Sequence, residues 1–122
     1  MNKLLVSALC AISSLALSQN VLATGTGSIG PVFIKTVSHF TVPYGSQKPG
    51  NTEVQTNGFV LPSGVSCDTT YITTLKSVDP DGELFYMLRD IRNSNQPVTL
   101  WITDNPIYTA YPGRCSIVGV TM

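Results

Sequence analysis

Residues 79–97 read DPDGELFYMLRDIRNSNQP, and this stretch decides the fold because the sequence on either side of it has the character of strand. Asp79-Pro80 reads as an N-cap followed by proline at the first helical position, with Asp81 and Glu83 where a helix dipole favours negative charge. Leu84, Met87, Leu88 and Ile91 recur at helical spacing, while Arg89, Asp90 and Arg92 take the other face. Asn93-Ser94-Asn95 supplies the stop, and Pro97 follows shortly beyond it. No other helix is predicted after residue 23.

Working upstream, Val65 to Leu75 is almost entirely strand-forming residues, and a period of two puts Val65, Cys67 and Tyr71 on one face. Pro62-Ser63-Gly64 precedes it. Before that turn, Thr52 to Leu61 reads as a strand interrupted at Asn57-Gly58, either by a bulge or by a tight hairpin turn. The loop Pro43 to Gly50 is rich in turn formers and too polar for a core. An alternating run from Val32 to Thr41 predicts the first strand. Thr24-Gly25-Thr26-Gly27-Ser28 reads as a flexible leader. Downstream of the helix, Val98, Leu100 and Ile102 alternate with Thr99, Trp101 and Thr103 in a fourth strand, and Cys115 to Thr121 forms a fifth. The expected fold is therefore mainly β with one α-helix, in the order β-β-β-α-β-β of a five-stranded OB-fold-like barrel. Other small β folds fit the same string of elements.

The first 23 residues have a different character. Lys3 supplies a positive charge, Leu4 to Leu17 form an apolar run, and Val21-Leu22-Ala23 offers small residues at the positions a signal peptidase reads. The run is about 14 residues, short of the roughly 20 that cross a bilayer. Cleavage is expected between Ala23 and Thr24, leaving residues 24–122 as one small β-barrel domain, exported to the periplasm or the medium, with no integral membrane segment. Cys10 follows Leu9 rather than a small residue and sits inside the apolar run, which argues against a lipid anchor.

Without Cys10, two cysteines remain, Cys67 and Cys115, and an even count in an exported chain points to a disulfide. Two buried free thiols are the alternative. Loss of Lys3 with the leader leaves six basic residues against seven acidic ones. That near balance contains no basic stripe for phosphates, so nucleic acid is not an expected partner.

Catalytic groups are scarce. His39 is the only histidine; it falls in a strand with no acidic partner in local sequence. The serines form no nucleophile elbow. Asp79-Pro80-Asp81-Gly82-Glu83 has alternating carboxylates like a calcium loop, but the remaining ligands are missing and helix capping accounts for it. No metal, no cofactor and no enzymatic activity are expected. The aromatic residues say more. With Leu100 and Ile102 facing inward, Trp101 faces outward, where a large aromatic marks a contact surface; the alternative places it under a neighbouring element. Tyr108 and Tyr111 fall in the loop between the fourth and fifth strands, a loop that OB barrels use for oligosaccharides or oligonucleotides. They either stack on a sugar or pack against the barrel rim.

Three segments carry a family resemblance: Glu83 to Arg92, Asn95 to Ile102, and Cys115 to Val120. Together they resemble the C-terminal half of the binding subunits of pertussis-like and subtilase-cytotoxin-like bacterial toxins. The resemblance implies an exported OB-fold that assembles as a ring of five and binds host glycans. Residues 24–64 do not follow that family's sugar-contacting segment, so no glycan-binding position carries over, and two cysteines replace the family's larger set. The expected function is a non-enzymatic binding module for a glycan or protein partner, with Trp101, Tyr108 and Tyr111 as candidate contacts. A stand-alone periplasmic or secreted structural or inhibitory protein is the alternative from another class, and a hydrolase with a concealed site is a third.

Overall fold

The computed structural model of the chain describes residues 24–122. The expected signal peptide and Cys10 lie outside the described residues. Six strands and one helix follow in order: β1 (Thr26–Val32), β2 (Ile34–His39), β3 (Thr52–Thr56), β4 (Tyr71–Thr74), α1 (Glu83–Ser94), β5 (Val98–Thr103) and β6 (Ser116–Thr121). They form two three-stranded antiparallel sheets, ordered β1-β5-β6 and β2-β3-β4. Among the described residues the mainly β class with one helix is as expected, whereas six strands in two sheets replace the expected five in one closed barrel.

The extra strand is the supposed leader. Residues 26–32 pair with β5 from Thr26↔Thr103 to Val32↔Val98, so this glycine- and serine-rich segment is held by ladder hydrogen bonds that need no side chain. Its register shifts between Ile29 and Val32, at Gly30-Pro31, where proline has no N–H to give the ladder. Gly30 has φ +135, and a Cβ there would fall 2.8 Å from the Val98 carbonyl oxygen. The chain passes through Phe33 and changes sheet, which splits the single strand expected over Val32 to Thr41.

Two other strands are shorter than expected, for local reasons. β3 ends at Thr56, where the Thr56 hydroxyl accepts from the Gly58 amide at 3.0 Å and Asn57 Oδ1 accepts from Phe33 N–H at 3.2 Å. Residues 65–70 stay out of the sheet because Asp68 Oδ1 accepts from the amides of Thr70 and Tyr71 at 2.8 and 2.7 Å, a local turn that competes with the ladder. Val65 is consequently buried while Tyr71 is exposed, and the face expected to join them does not exist.

The helix begins at Glu83, later than expected, and its N-cap position is Gly82 in the left-handed region. Asp79 still caps it: one carboxylate oxygen accepts from Leu84 N–H at 3.0 Å and the other from Phe85 N–H at 3.1 Å. Leu88 and Ile91 are buried, Leu84 is half-buried, and Met87 points largely to solvent. Those two buried residues join Val54, Ile72, Leu100, Ile102 and Ile117 in a single apolar core between the sheets.

The sheets meet where β4 runs beside the start of β6. Ile72 and Cys115 form a parallel bridge, and Thr73 N–H donates to the Cys115 carbonyl at 3.0 Å. Cys115 is fully buried and disulfide-bonded to Cys67, with 5.6 Å between their Cα atoms. Among the described residues no helix is long and apolar enough to cross a membrane.

Replacing both Cys67 and Cys115 with alanine removes a cross-link spanning 48 residues and is expected to lower stability by about 4 kcal/mol on the chain-entropy account. Gly30→Ala should cost on the order of 1–3 kcal/mol through strain and contact with β5. Guanidinium unfolding midpoints check both.

Candidate functional site

β3 alternates buried and half-buried residues, and Glu53 and Gln55 of β3 lie opposite Thr73 and Tyr71 of β4, of which only Tyr71 is exposed. Above Glu53 sits Arg114, whose Nη1 donates to Glu53 Oε2 at 3.0 Å with both side chains about one-fifth exposed or less (17% and 21%). The Arg114 guanidinium lies between two phenol rings, 5.2 Å from the centroids of both Tyr71 and Tyr111. Such stacking suits the flat, weakly hydrated guanidinium.

The loop after β2 completes the cluster from the other side. Gln47 Nε2 donates to Glu53 Oε2 at 2.9 Å and to Thr73 Oγ1 at 3.3 Å, while Asn51 Nδ2 donates to Gln47 Oε1 at 3.2 Å. Thr73 Oγ1 also donates to Glu53 Oε2, at 3.2 Å. Gln47 and Asn51 are only 6% and 1% exposed. The loop expected over Pro43 to Gly50 to be too polar for a core therefore buries Gln47, and Asn51 just beyond it is buried as well, which is tolerable because each amide finds a partner.

Arg114 and Tyr111 are placed by a loop fastened at several points. Asp104 at its start accepts from Gly25 N–H at 2.7 Å and from Ser66 N–H at 2.9 Å. Thr109 bridges to Thr74, the Gly113 carbonyl accepts from Asp68 N–H at 2.9 Å, and Cys115 ends the loop at the disulfide. Beneath it lies a hollow of about 310 Å³ whose lining includes Asp104, Thr109, Tyr111 and Arg114. The cluster thus presents tyrosine rings with a partly exposed guanidinium and carboxylate, which are held in place by amides and a hydroxyl that are themselves buried. That set can hold a polyhydroxylated ligand by hydrogen bonds and ring stacking; it contains no nucleophile–base pair.

The three aromatic residues singled out by sequence do not converge. Trp101 faces outward at 44% exposure, lies over Gly119, and donates its indole N–H to Thr121 Oγ1 at 3.1 Å. Tyr108, 43% exposed, lines a separate shallow hollow with Ile107 and Val118. Only Tyr111 joins the Arg114 cluster. The residues that sequence reading missed are Gln47, Asn51, Glu53, Tyr71, Thr73 and Arg114. The alternation of Glu53 and Gln55 with buried neighbours was a signal for two outward positions on one face, whereas Arg114 was marked only by standing next to Cys115.

His39 ends β2, shares a hydrogen bond between Nδ1 and Thr52 Oγ1 at 3.0 Å, and packs its ring 4.7 Å from that of Phe85. It lines another cleft together with Asp79 and Asp81, the setting a hydrolase would need. Both Asp79 oxygens, however, are occupied by helix amides, and His39 bonds to neither carboxylate among the described residues. No three His, Cys, Asp or Glu side chains cluster as metal ligands among the described residues.

No protein family, curated protein or solved structure shows a significant match to this chain.

The turn before Tyr71 contains one carboxyl with a depressed pKa, Asp68. Its hydrogen bond from the Tyr71 amide is the largest influence and holds the carboxyl below its ordinary value of 3.8; burial opposes this, and the Thr70 amide and the Arg114 charge reinforce it. A depressed folded-state value means that the stabilisation is complete above the ordinary carboxylate range and is lost as pH falls through the folded-state value. Asp68→Ala should therefore melt below the unaltered protein at neutral pH, and the gap should narrow in strong acid. Thermal melts across that range check the sign.

Proposed function

We propose that this chain is an exported, non-enzymatic binding module whose ligand is a glycan, held at the Arg114 cluster. The observation that carries the reading is the guanidinium fixed between Tyr71 and Tyr111 beside Glu53. Sugars present flat C–H faces that suit tyrosine rings and vicinal hydroxyls that suit a paired carboxylate and guanidinium. Preformed groups also lose little freedom on binding, which favours affinity.

The strand connections support an OB-type reading of the fold. Taking β1 and β2 as one strand broken at Phe33, contacts run from β2 through β3, β4, β6 and β5 back to β1, with the helix between β4 and β5. In such folds the loop before the last strand is a binding loop, and here that loop carries Tyr111 and Arg114. Export is supported by the apolar leader read in the sequence and by the Cys67–Cys115 disulfide, which fits an oxidising compartment. The resemblance to toxin binding subunits adds a ring of five as the proposed assembly. The hydrolase reading is disfavoured because His39 is engaged with Thr52 rather than with a carboxylate.

A protein partner is the second reading, favoured by one observation. Trp101, Ile107, Tyr108 and Val118 are all exposed by more than two-fifths, and apolar side chains left in water suit a protein contact.

A glycan array with the mature protein, run beside light scattering, tests the proposal. Glycan binding is expected, with Tyr111→Ala weakening it at least about tenfold, the scale of one stacked ring and its hydrogen bond, and Trp101→Ala leaving it intact. A chain that binds no glycan overturns the reading, and a monomer in light scattering removes the ring.

A further inference from the structure

A cleft of about 420 Å³ opens between the β2–β3 loop and the start of α1 and shares no lining residue with the Arg114 cluster. Its volume suits a small organic ligand rather than a polymer. Apolar surface comes from Phe85, which is half-buried against the His39 ring, with Phe40 and Tyr86 alongside. The polar groups are of both signs. Lys76 and Asp81 both line the cleft, Asp81 in the turn that leads into the helix.

Neither of these charges is paired by a partner charge among the described residues, although Asp81 stands just ahead of the helix N-terminus. Lys76 and Asp81 take part in no ion pair among the described residues, where the ion pairs are Arg89–Asp90 and Arg114–Glu53. Asp79, the other carboxylate of the lining, differs because both its oxygens accept helix amides. Lys76 is also positioned: its stem lies so close over Gly50 that a Cβ there would fall 2.6 Å from Lys76 Cδ, and Gly50 has φ +88. A stem resting on bare backbone has less freedom to lose on binding than that of a free lysine.

We propose that this cleft binds a small zwitterion of the amino-acid type with an apolar side chain. The ligand's carboxylate meets Lys76, its ammonium meets Asp81, and its side chain lies over Phe85. A neutral sugar would leave both charges unmatched. A simple anion would face Asp81 and Asp79, and a simple cation would face Lys76.

The test is an NMR titration of the ¹⁵N-labelled mature protein with L-phenylalanine, N-acetyl-L-phenylalanine, L-phenylalaninamide and glucose. Saturable shifts are expected with L-phenylalanine at the amides of Phe40, Lys76, Asp81 and Tyr86. Blocking either charged end of the ligand should weaken binding at least about tenfold, the scale of a charge-assisted hydrogen bond. Lys76→Gln and Asp81→Asn should each do the same, and both side chains lie on the surface, so spectra of the variants confirm that the fold is kept. The proposal is overturned if L-phenylalanine gives no saturable shift, if binding survives both substitutions, or if glucose shifts these amides and the amino acid does not.

Discussion

Everything in this small domain depends on Cys115. Two three-stranded sheets of this size do not have enough apolar surface to be stable separately, and they are joined by few backbone contacts. Cys115 supplies one, the parallel bridge to Ile72 in which its carbonyl accepts from Thr73 N–H, and adds a covalent link through the disulfide to Cys67. The next contact along, from Ile117 N–H to Thr74 Oγ1 at 3.2 Å, continues the same junction. The apolar core then fills the space between sheets already held together, with the helix laying Leu88 and Ile91 into it.

The same junction fixes the polar cluster. Arg114 precedes the cystine, so its guanidinium is carried to a set position over β4, between Tyr71 and Tyr111. Glu53 gathers donors from Gln47, Thr73 and Arg114. The satisfaction is incomplete: Arg114 Nε and Ser116 Oγ, both buried, have no hydrogen-bond partner. Unpaired groups of this kind cost stability in the fold, and Arg114 belongs to the surface at which a ligand is proposed to bind. Stability and the proposed recognition therefore draw on the same few residues.

How much of this could be read in the sequence follows from where each interaction is written. The helix and β5 were legible because their patterns are local and strongly periodic, as Leu88, Ile91, Leu100 and Ile102 show. β1 was not, since Thr26, Gly27 and Ser28 carry little strand preference and are held by backbone pairing and by Asp104, 79 residues away at Gly25. The opposite error occurred over residues 65–70, where good strand formers are diverted by the Asp68 side chain. Asp79 was recognised as a cap, though it reaches the helix across a turn ending at Gly82. At the site, Tyr111 was legible from its loop, while Gln47 and Asn51 were hidden because polar residues in a turn-rich loop give no sign that they will be buried as a matched pair.

The most direct test of Cys115 as the governing junction is native-state hydrogen exchange, read amide by amide with the disulfide intact and after reduction. If both sheets depend on it, reduction should release the Thr73 and Ile117 amides first, with protection falling together across β3, β4, β5 and β6. Retained protection in β1, β5 and β6 while β2, β3 and β4 open, or the reverse, would mean that the sheets are stable independently and would contradict the account.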